Sequence, residues 1–289
     1  MAGAERIVSL LPSATEIVSE LGLFDLLVGR SEECDWPRAA AGLPVVSASR
    51  VDTSKLSGRE VDDAVRAAVT DGRSLYALDE ELLRQLEPDL VLTQELCTVC
   101  AVSAGEVCAL DVPSLALDPR TLDDIAKSVC TVADALGYAE RGVVRAARMR
   151  ADLARVAEAV DGLERPRVFL AEWVDPPYAP GHWLAEMVEV AGGECVIGRP
   201  GEHSFRTDWD AIRSLEPDIV VLAPCGYDAE RAAREPIPEL RARVVAVDAS
   251  AFYARPAPRV VDGARQLAHL LHPEAVADPR LPLLELVAA

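Results

Sequence analysis

The chain has 289 residues, 50% of them hydrophobic, which is enough to bury one large core or two of ordinary size. Its 48 acidic residues outnumber its 29 basic residues and give a net charge of −19. Because nucleic acids and anionic lipid surfaces are bound by clustered Lys and Arg, neither is an expected partner. No stretch approaches the roughly 18 apolar residues of a membrane-spanning helix, so no membrane insertion is expected.

The sequence at the amino terminus bears on the cellular location of the protein. Met1–Arg6 leads directly into a strand-like run at Ile7, which leaves no room for the basic, apolar and cleavage regions of a signal peptide. A cytoplasmic protein is therefore predicted. In that compartment the seven cysteines would be thiols rather than a disulfide framework.

The first elements alternate between strand and helix. Ile7–Leu11 is predicted to form a strand, and a helix opens at Pro12 with a capping-box spacing at Ser13–Glu16. A second strand at Leu26–Gly29 leads into a polar loop. That loop contains the candidate ligand contacts Cys34, Asp35 and Trp36.

One short sequence occurs twice. Leu86–Leu92 and Leu215–Leu222 both read Leu-Glu-Pro-Asp followed by an aliphatic run. In each copy the proline ends a helix, and the run has the length of a buried parallel strand. The repeat predicts two similar lobes that bind a ligand at the carboxyl ends of their strands. Gln94, just after the first repeated strand, is a further candidate contact.

The rest of the chain completes the predicted fold. Residues 121–163 are predicted to be helical almost throughout, with a break at Gly137 or Gly142, and strands and helices alternate again from Arg167 onwards. The predicted class is α/β: two Rossmann-like lobes with parallel sheets, joined by a long backbone helix, with the ligand cleft between the lobes. The predicted domains are an amino-terminal lobe (1–118), a helical linker (119–164) and a carboxyl-terminal lobe (165–289).

Two loops of the second lobe concentrate aromatic side chains. Glu172–Trp183 contains two Trp, one Tyr, one His and three Pro, and such rigid aromatics suit a large planar or amphipathic ligand. The loop Ala251–Arg259 again combines aromatics with arginine, which donates to amide or phosphate groups. For Trp183, at the start of a helix, a core role is the alternative. The candidate contacts are Trp173, Pro177, Tyr178, His182, Trp183, Phe252, Tyr253 and Arg255.

Motifs along nearly the whole chain resemble a known family. They are Arg6–Glu16, both Pro-Asp-strand copies, Asp175–Pro177 with Gly181, Ala191–Glu194 and Arg255–Arg259. The chain is similar to the helical-backbone (class III) periplasmic-binding-protein-like family, and most similar to the cobalamin-binding proteins of vitamin B12 importers. The resemblance implies a corrinoid held between the lobes. It also implies contacts from the aromatics of three loops, which match Cys34–Pro37, Trp173–Trp183 and Phe252–Arg255.

Two features depart from the importer proteins. The segment from about Arg50 to Tyr76 has no counterpart there, and Cys34, Cys97 and Cys100 follow strands where those proteins have no thiols. The three thiols are candidate ligands of zinc or iron, while redox and purely structural roles stay open. His182 is the better placed histidine for axial ligation of cobalt.

The predicted function is a cytoplasmic, non-enzymatic corrinoid-binding protein that acts as carrier, store or sensor for cobalamin. No phosphate loop, dinucleotide fingerprint, nucleophile elbow or zinc-protease motif is present. One alternative is a metal- or haem-binding protein that uses Cys34, Cys97 and Cys100. Another is a thiol-dependent corrinoid-processing enzyme. An ABC importer is an expected partner only if the protein is exported.

Overall fold

A computed structural model describes residues 3–71, 74–94 and 112–286. The chain packs into two compact units. The limits of unit 1 are Met1–Leu56, Glu60–Pro119 and Asp124–Arg148, and those of unit 2 are Ser57–Arg59, Arg120–Asp123 and Met149–Ala289. The predicted limits of the two lobes and of a separate helical linker stay predictions.

Unit 1 contains a six-stranded sheet. Its strands are β1 (Ile7–Ser9), β2 (Leu27–Ser31), β3 (Val45–Ser49), β4 (Tyr76–Leu78), β5 (Leu90–Gln94) and β6 (Ser114–Leu117). The order is β4-β3-β2-β1-β5-β6, and all pairs are parallel except β3 with the edge strand β4.

Unit 2 contains a five-stranded sheet and a two-stranded ribbon. The strands are β7 (Arg167–Ala171), β8 (Tyr178–Ala179), β9 (Glu194–Cys195), β10 (Phe205–Arg206), β11 (Ile219–Leu222), β12 (Arg243–Val247) and β13 (Leu283–Leu286). The large sheet has the order β13-β12-β11-β7-β9 and is parallel except at β13, while β8 and β10 form the antiparallel ribbon. The predicted α/β class with a parallel-rich sheet in each half is confirmed.

Ten α-helices occur among the described residues. They are α1 (Pro12–Glu20), α2 (Gly58–Thr70), α3 (Glu80–Gln85), α4 (Leu122–Ala135), α5 (Ala139–Ala159), α6 (His182–Val190), α7 (Trp209–Ser214), α8 (Ala229–Ala232), α9 (Ala249–Phe252) and α10 (Val260–Leu271). In the described parts of the chain, no helix combines the length and apolar character needed to cross a membrane.

The predicted helical segment after unit 1's last strand is two helices, α4 and α5, and the break falls at Gly137. Its φ of 81° lies in the left-handed region, where a side chain would be strained. Gly142 has a different role, inside α5, because a Cβ there would lie 2.5 Å from the Cβ of Ala133 on α4. The second glycine therefore permits close packing of the two helices.

The core of unit 1 lies between its sheet and helices α1 and α4. Ile7 and Leu92 of the sheet are fully buried together with Ile17 of α1 and Val129 of α4. Burial of one such aliphatic side chain stabilises a fold by about 1.5–3 kcal/mol. In unit 2 the equivalent core includes Phe169 and the wholly buried strand β11.

The predicted capping box at Ser13–Glu16 is wrong. Helix α1 has Leu11 as its N-cap and Pro12 in the first helical turn, and no side chain caps it. Because proline has no N–H and a fixed φ, it starts this helix without needing a capping oxygen. Ser13 and Glu16 are buried within the helix instead.

The repeated Leu-Glu-Pro-Asp sequence performs the same task in each unit. The Asp89 carboxylate accepts hydrogen bonds from the backbone N–H groups of Glu5 (2.8 Å) and Arg6 (3.0 Å), at the start of β1. The Asp218 carboxylate accepts one from the N–H of Arg167 (2.7 Å), the first residue of β7. Each aspartate thus anchors the start of the neighbouring parallel strand.

The residue before each proline is also alike in the two copies. Glu87 and Glu216 have φ values of 44° and 47°, in the left-handed region. The side chains of Arg6 and Arg167 donate to the carbonyl oxygens of Leu86 and Leu215, just before these glutamates. Both copies therefore form the same turn. In each, an arginine at the start of the neighbouring strand closes the turn with its side chain and donates its backbone N–H to the aspartate that follows.

We expect Asp218→Ala to lower the free energy of unfolding by about 1–2 kcal/mol, because a charge-assisted bond to a backbone N–H is lost. The matched control is Asp210→Ala, whose side chain is 88% exposed and pairs with Arg213 on the same helix. Such exposed pairs contribute about 0.3–0.5 kcal/mol. Urea denaturation followed by circular dichroism measures both, and equal losses would contradict the anchoring role.

Candidate ligand-binding site

Three loops leave unit 2 at the same edge of its sheet. Strands β7, β11 and β12 are adjacent and parallel, so their carboxyl ends meet there, where open α/β sheets bind ligands. The loops are Glu172–Trp183, Ala223–Asp228 and Asp248–Arg259. These loops, together with residues of unit 2 that pack on them, are called the unit 2 edge below.

An aromatic pair lies at the centre of this edge. The rings of Trp173 and Tyr227 meet edge to face, with centroids 5.2 Å apart, and the guanidinium of Arg231 lies 3.8 Å from the Tyr227 ring centroid. The indole N–H of Trp173 donates to the carbonyl oxygens of Gly58 (3.1 Å) and Asp175 (3.2 Å). Ring contacts and hydrogen bonds thus fix the half-buried Trp173 in one orientation.

The loop that follows β7 is closed by backbone bonds. The N–H of Tyr178 donates to the carbonyl of Trp173 and the N–H of Glu172 donates to the carbonyl of Tyr178, both at 3.1 Å. Pro177 is buried, and its carbonyl accepts from Thr207 at 2.9 Å. Tyr178 is half-buried and sits on the ribbon strand β8. The candidates Pro177 and Tyr178 therefore belong to a rigid turn.

His182 opens helix α6 from a strained backbone position. Its φ is 51°, and its N–H donates to the carbonyl of Glu202 at 2.6 Å. The imidazole rings of His182 and the exposed His203 meet edge to face, with centroids 5.1 Å apart. A Cβ at Gly181 would lie only 2.2 Å from the backbone nitrogen of Ser204, so glycine is required for the two chain segments to meet here.

Trp183 and Tyr253 lie in the interior of unit 2. The indole N–H of Trp183 donates to the carbonyl of Tyr253 at 2.7 Å, and the Tyr253 hydroxyl donates to Gln266 Oε1 at 2.9 Å. Burial raises the pKa of Tyr253 far above its ordinary value. Both side chains have the contacts of core residues, and their role as ligand contacts stays a prediction.

Arginine and carboxylate side chains follow β12. The guanidinium of Arg259 lies 5.4 Å from the ring centroid of the half-buried Phe252, and Arg255 is buried. The Asp248 carboxylate accepts from the N–H of Ala251 at 2.9 Å. Burial is the main cause of a raised pKa at Asp248; the bond from Ala251 and the charges of Arg259 and Arg255 oppose it.

The unit 1 candidates lie at the carboxyl ends of β2 and β5. Trp36 is 39% exposed and Asp35 is exposed, while Gln94 is half-buried at the last position of its strand. Cys34 is buried, and its sulfur accepts a hydrogen bond from the Thr15 hydroxyl at 3.0 Å. Trp36 is thus a large apolar side chain open to solvent, as the sequence predicts for a contact residue.

The predicted three-cysteine metal site falls partly outside the described residues, which do not include Cys97 and Cys100. Among the residues that the structure does describe, no three His, Cys, Asp or Glu side chains are grouped to hold a metal ion. Cys225, at the carboxyl end of β11, is an exposed free thiol.

Sequence reasoning missed two residues that pack on the unit 2 edge, Gly58 and Arg59. The carbonyl of Gly58 accepts from Trp173, and a Cβ on this buried glycine would lie 2.5 Å from Glu235 Oε2. Arg59 Nε donates to Asp175 Oδ2 at 3.2 Å, and its Nη2 donates to Oδ1 of the same carboxylate. A single Gly-Arg pair has no sequence signature that would reveal these contacts.

Comparison with protein-family models decides the family. A model described as "Periplasmic binding protein" matches residues 7–239. The chain belongs to the periplasmic binding protein family. A vitamin B12-binding protein of Yersinia pestis (strain Pestoides F) is similar to this periplasmic binding protein: 24% identity over 266 residues, covering 91% of this chain and 85% of the relative. The predicted resemblance is confirmed, and this family member is a binding protein rather than an enzyme.

Solved structures support the same fold. A periplasmic vitamin B12-binding protein of Vibrio cholerae aligns with a TM-score of 0.67 and 23% identity, covering 94% of this chain and 98% of the other. A periplasmic haem-binding protein from Pseudomonas aeruginosa aligns with a TM-score of 0.73 and 20% identity, covering 99% of each chain. The comparisons lend no support to zinc or iron held by the cysteines of this periplasmic binding protein.

The predicted cytoplasmic location is wrong. It rested on the short polar start of the sequence, whereas the matched family model describes periplasmic binding proteins and the matched Vibrio and Pseudomonas structures are of periplasmic proteins. The comparisons therefore point to the periplasm.

We expect Trp183→Phe to lower the free energy of unfolding by about 1–3 kcal/mol, because it removes a buried hydrogen bond and leaves a small cavity. The matched control is Trp36→Phe, since Trp36 is partly exposed and should tolerate the change within about 0.5 kcal/mol. Urea denaturation measures both variants. A Trp183→Phe protein as stable as the wild type would contradict the core assignment.

Glu235 generates a pH-dependent prediction. Burial raises its pKa, the Gly58 N–H and the Arg231 charge oppose the shift, and the Asp175 charge adds to it. The Glu235 carboxyl group therefore binds its proton more tightly in the folded protein than in the unfolded chain. Its contribution to the free energy of unfolding is greatest at low pH and is lost as pH rises through the raised pKa.

Glu235→Gln should accordingly stabilise the protein at pH 7 relative to the wild type and give no gain at pH 4. Glu230→Gln is the control at both pH values, because Glu230 is an exposed residue of α8, the helix that ends shortly before Glu235. Unfolding free energies from urea titrations at each pH provide the measurement. A gain at pH 4 that vanishes at pH 7 would reverse the sign and contradict the argument.

Proposed function

We propose that this protein binds a corrinoid, with cobalamin as its ligand, at the unit 2 edge, and that it works outside the cytoplasmic membrane as the binding protein of an ABC importer. The observation that carries the proposal is the fixed ring contact between Trp173, in the proline-rich turn after β7, and Tyr227, in the loop after β11. The similarity to vitamin B12-binding proteins over 91% of the chain supports the choice of ligand.

The chemistry of the ligand matches the chemistry of this edge. Cobalamin presents broad apolar faces edged by amide groups, so a receptor needs flat apolar area together with hydrogen-bond donors and acceptors. Trp173, Tyr178 and Phe252 are only half-buried and offer ring area, and the arginines beside them donate to amide oxygens.

Preorganisation is the energetic advantage of this arrangement. Trp173 is held by Tyr227 on one side and by two carbonyl acceptors at its N–H. A side chain that is already ordered loses little rotamer freedom on binding, which saves about 0.5–1.5 kcal/mol per side chain. The predicted unit 2 contacts Pro177, His182 and Arg255 belong to the same proposal, and the predicted unit 1 contacts Trp36, Asp35 and Gln94 stay predictions.

Haem is the second candidate ligand. A haem-binding protein from Pseudomonas aeruginosa aligns over 99% of this chain with a TM-score of 0.73. The neighbouring imidazoles of His182 and His203 are of the residue type that ligates haem iron. Haem and corrinoids share a planar macrocycle around a metal, so the same aromatic edge suits either.

The test is a titration of the protein with hydroxocobalamin and, separately, with haem, followed by absorption spectra after desalting. We expect retained cobalamin near one per chain and weaker retention of haem. Trp173→Ala should weaken cobalamin binding by about tenfold, because a buried aromatic contact contributes roughly 1–2 kcal/mol. Tyr138→Ala is the control and should bind as the wild type does. Tyr138 is an exposed aromatic residue of unit 1, between α4 and α5.

Three results would redirect the proposal. Stoichiometric haem without retained cobalamin would move the assignment to haem. Retention of neither ligand would refute the proposed function. Equal losses in Trp173→Ala and Tyr138→Ala would refute the placement of the site at Trp173.

A further inference from the structure

Ser57–Arg59 contacts the unit 2 edge through three separate interactions. The Gly58 carbonyl accepts from the Trp173 indole N–H at 3.1 Å, Gly58 N–H bonds the Glu235 carboxylate, and Arg59 pairs with Asp175. Both backbone polar groups of Gly58 are therefore used by unit 2 side chains. This tripeptide belongs to the segment from about Arg50 to Tyr76 that the sequence predicts to be an insertion relative to the importer proteins.

Gly58 permits this close approach because it has no side chain. A Cβ would lie 2.5 Å from Glu235 Oε2 and 3.5 Å from the carbonyl oxygen of Asp175. The first of these distances is too short for any residue other than glycine without movement of Glu235. The next residue, Arg59, is held at this edge by its ion pair with Asp175.

Arg59 retains hydrogen-bonding capacity beyond its ion pair. A guanidinium has five N–H donors in a rigid fork, and two of the Arg59 nitrogens, Nε and Nη2, face the Asp175 carboxylate. The Arg59 side chain is 55% exposed, so the rest of the fork is accessible beside the loop that carries Trp173. Arginine forks of this kind recognise phosphate and carboxylate groups.

Because the chain as a whole is acidic, arginines near the site are important for binding an anionic ligand. With a net charge of −19, the protein as a whole repels an anionic ligand. Arg59, Arg231, Arg255 and Arg259 all lie at the unit 2 edge, beside Trp173, Tyr227 and Phe252. They place positive groups next to the aromatic rings of this edge, where the carboxylates of Asp175, Glu235 and Asp248 also lie.

We propose that Arg59 is a specificity residue of this site and donates hydrogen bonds to an oxyanion substituent on the macrocyclic ligand. The inference rests on the proposed function and deepens it. The shared chemistry is an acidic group on a planar metal macrocycle, and it has two sources: the phosphodiester of a complete cobalamin or the carboxylates of haem.

The experiment compares each ligand with a form that lacks its oxyanion. Cobalamin is paired with cobinamide, which has no phosphodiester, and haem with haem dimethyl ester, in which the carboxylates are masked. Dissociation constants are measured by fluorescence or absorption titration for the wild type, Arg59→Gln and Arg59→Lys. Arg66→Gln is the matched control, because Arg66 lies on the same helix and is 58% exposed.

Arg59→Gln should weaken binding of one oxyanion-bearing ligand by about tenfold, because one charge-assisted hydrogen bond is lost. The phosphate-free or esterified partner should change by less than about twofold, and Arg59→Lys should recover part of the loss. Loss with cobalamin but not cobinamide identifies the phosphodiester, and loss with haem but not its ester identifies the carboxylates. Arg66→Gln should match the wild type throughout.

Other patterns overturn the inference in distinct ways. Equal weakening of both members of a pair would mean that Arg59 only positions Asp175. Tighter binding of both would mean that Ser57–Arg59 competes with the ligand for Trp173. No change in Arg59→Gln, in a wild type that binds a ligand, would exclude the contact while leaving the proposed function intact. A wild type that binds neither macrocycle would instead refute the proposed function itself.

Discussion

Two carboxylates at the starts of parallel strands organise both units of this protein. Asp89 holds the backbone N–H groups that lead into β1, and Asp218 holds the first N–H of β7. Both strands are interior strands with a parallel partner on each side, so anchoring them positions their neighbours. Because neighbouring strands are parallel, their carboxyl ends meet at one edge of each sheet, and the loops that carry the candidate ligand contacts begin there. A motif at the opposite ends of the strands therefore helps to determine where those loops lie.

The unit 2 edge combines a rigid base with a partly exposed surface. Trp183 and Tyr253 of these loops and Gln266 of α10 form a buried chain of hydrogen bonds. Trp173 is half-buried and is fixed by the Tyr227 ring and by the carbonyls of Gly58 and Asp175. Most of the ordering cost of these side chains is met when the protein folds, which favours tight binding of a large rigid ligand over an adaptable range of small ones.

The sequence predicted what local patterns encode. The repeat indicated two α/β units because helix end, proline and aliphatic strand recur in the same order, and the break between α4 and α5 fell at one of two named glycines. Contacts between residues far apart in the sequence could not be predicted. Nothing in a Gly-Arg pair indicates that Gly58 packs against Glu235, and Trp183 in an aromatic-rich loop resembles a contact residue although its N–H serves the core. The cytoplasmic prediction was wrong because it was an argument from one short terminal segment.

The central claim is that a corrinoid binds at the unit 2 edge against Trp173. Hydrogen–deuterium exchange with and without saturating hydroxocobalamin tests it most directly, because slowed amides report where the ligand and its local order lie. We expect slower exchange in the turn of residues 172–183 and at Gly58 and Arg59, with little change at α5, which belongs to none of the loops of this edge. Protection confined to other parts of the chain, with none at residues 172–183, would contradict it.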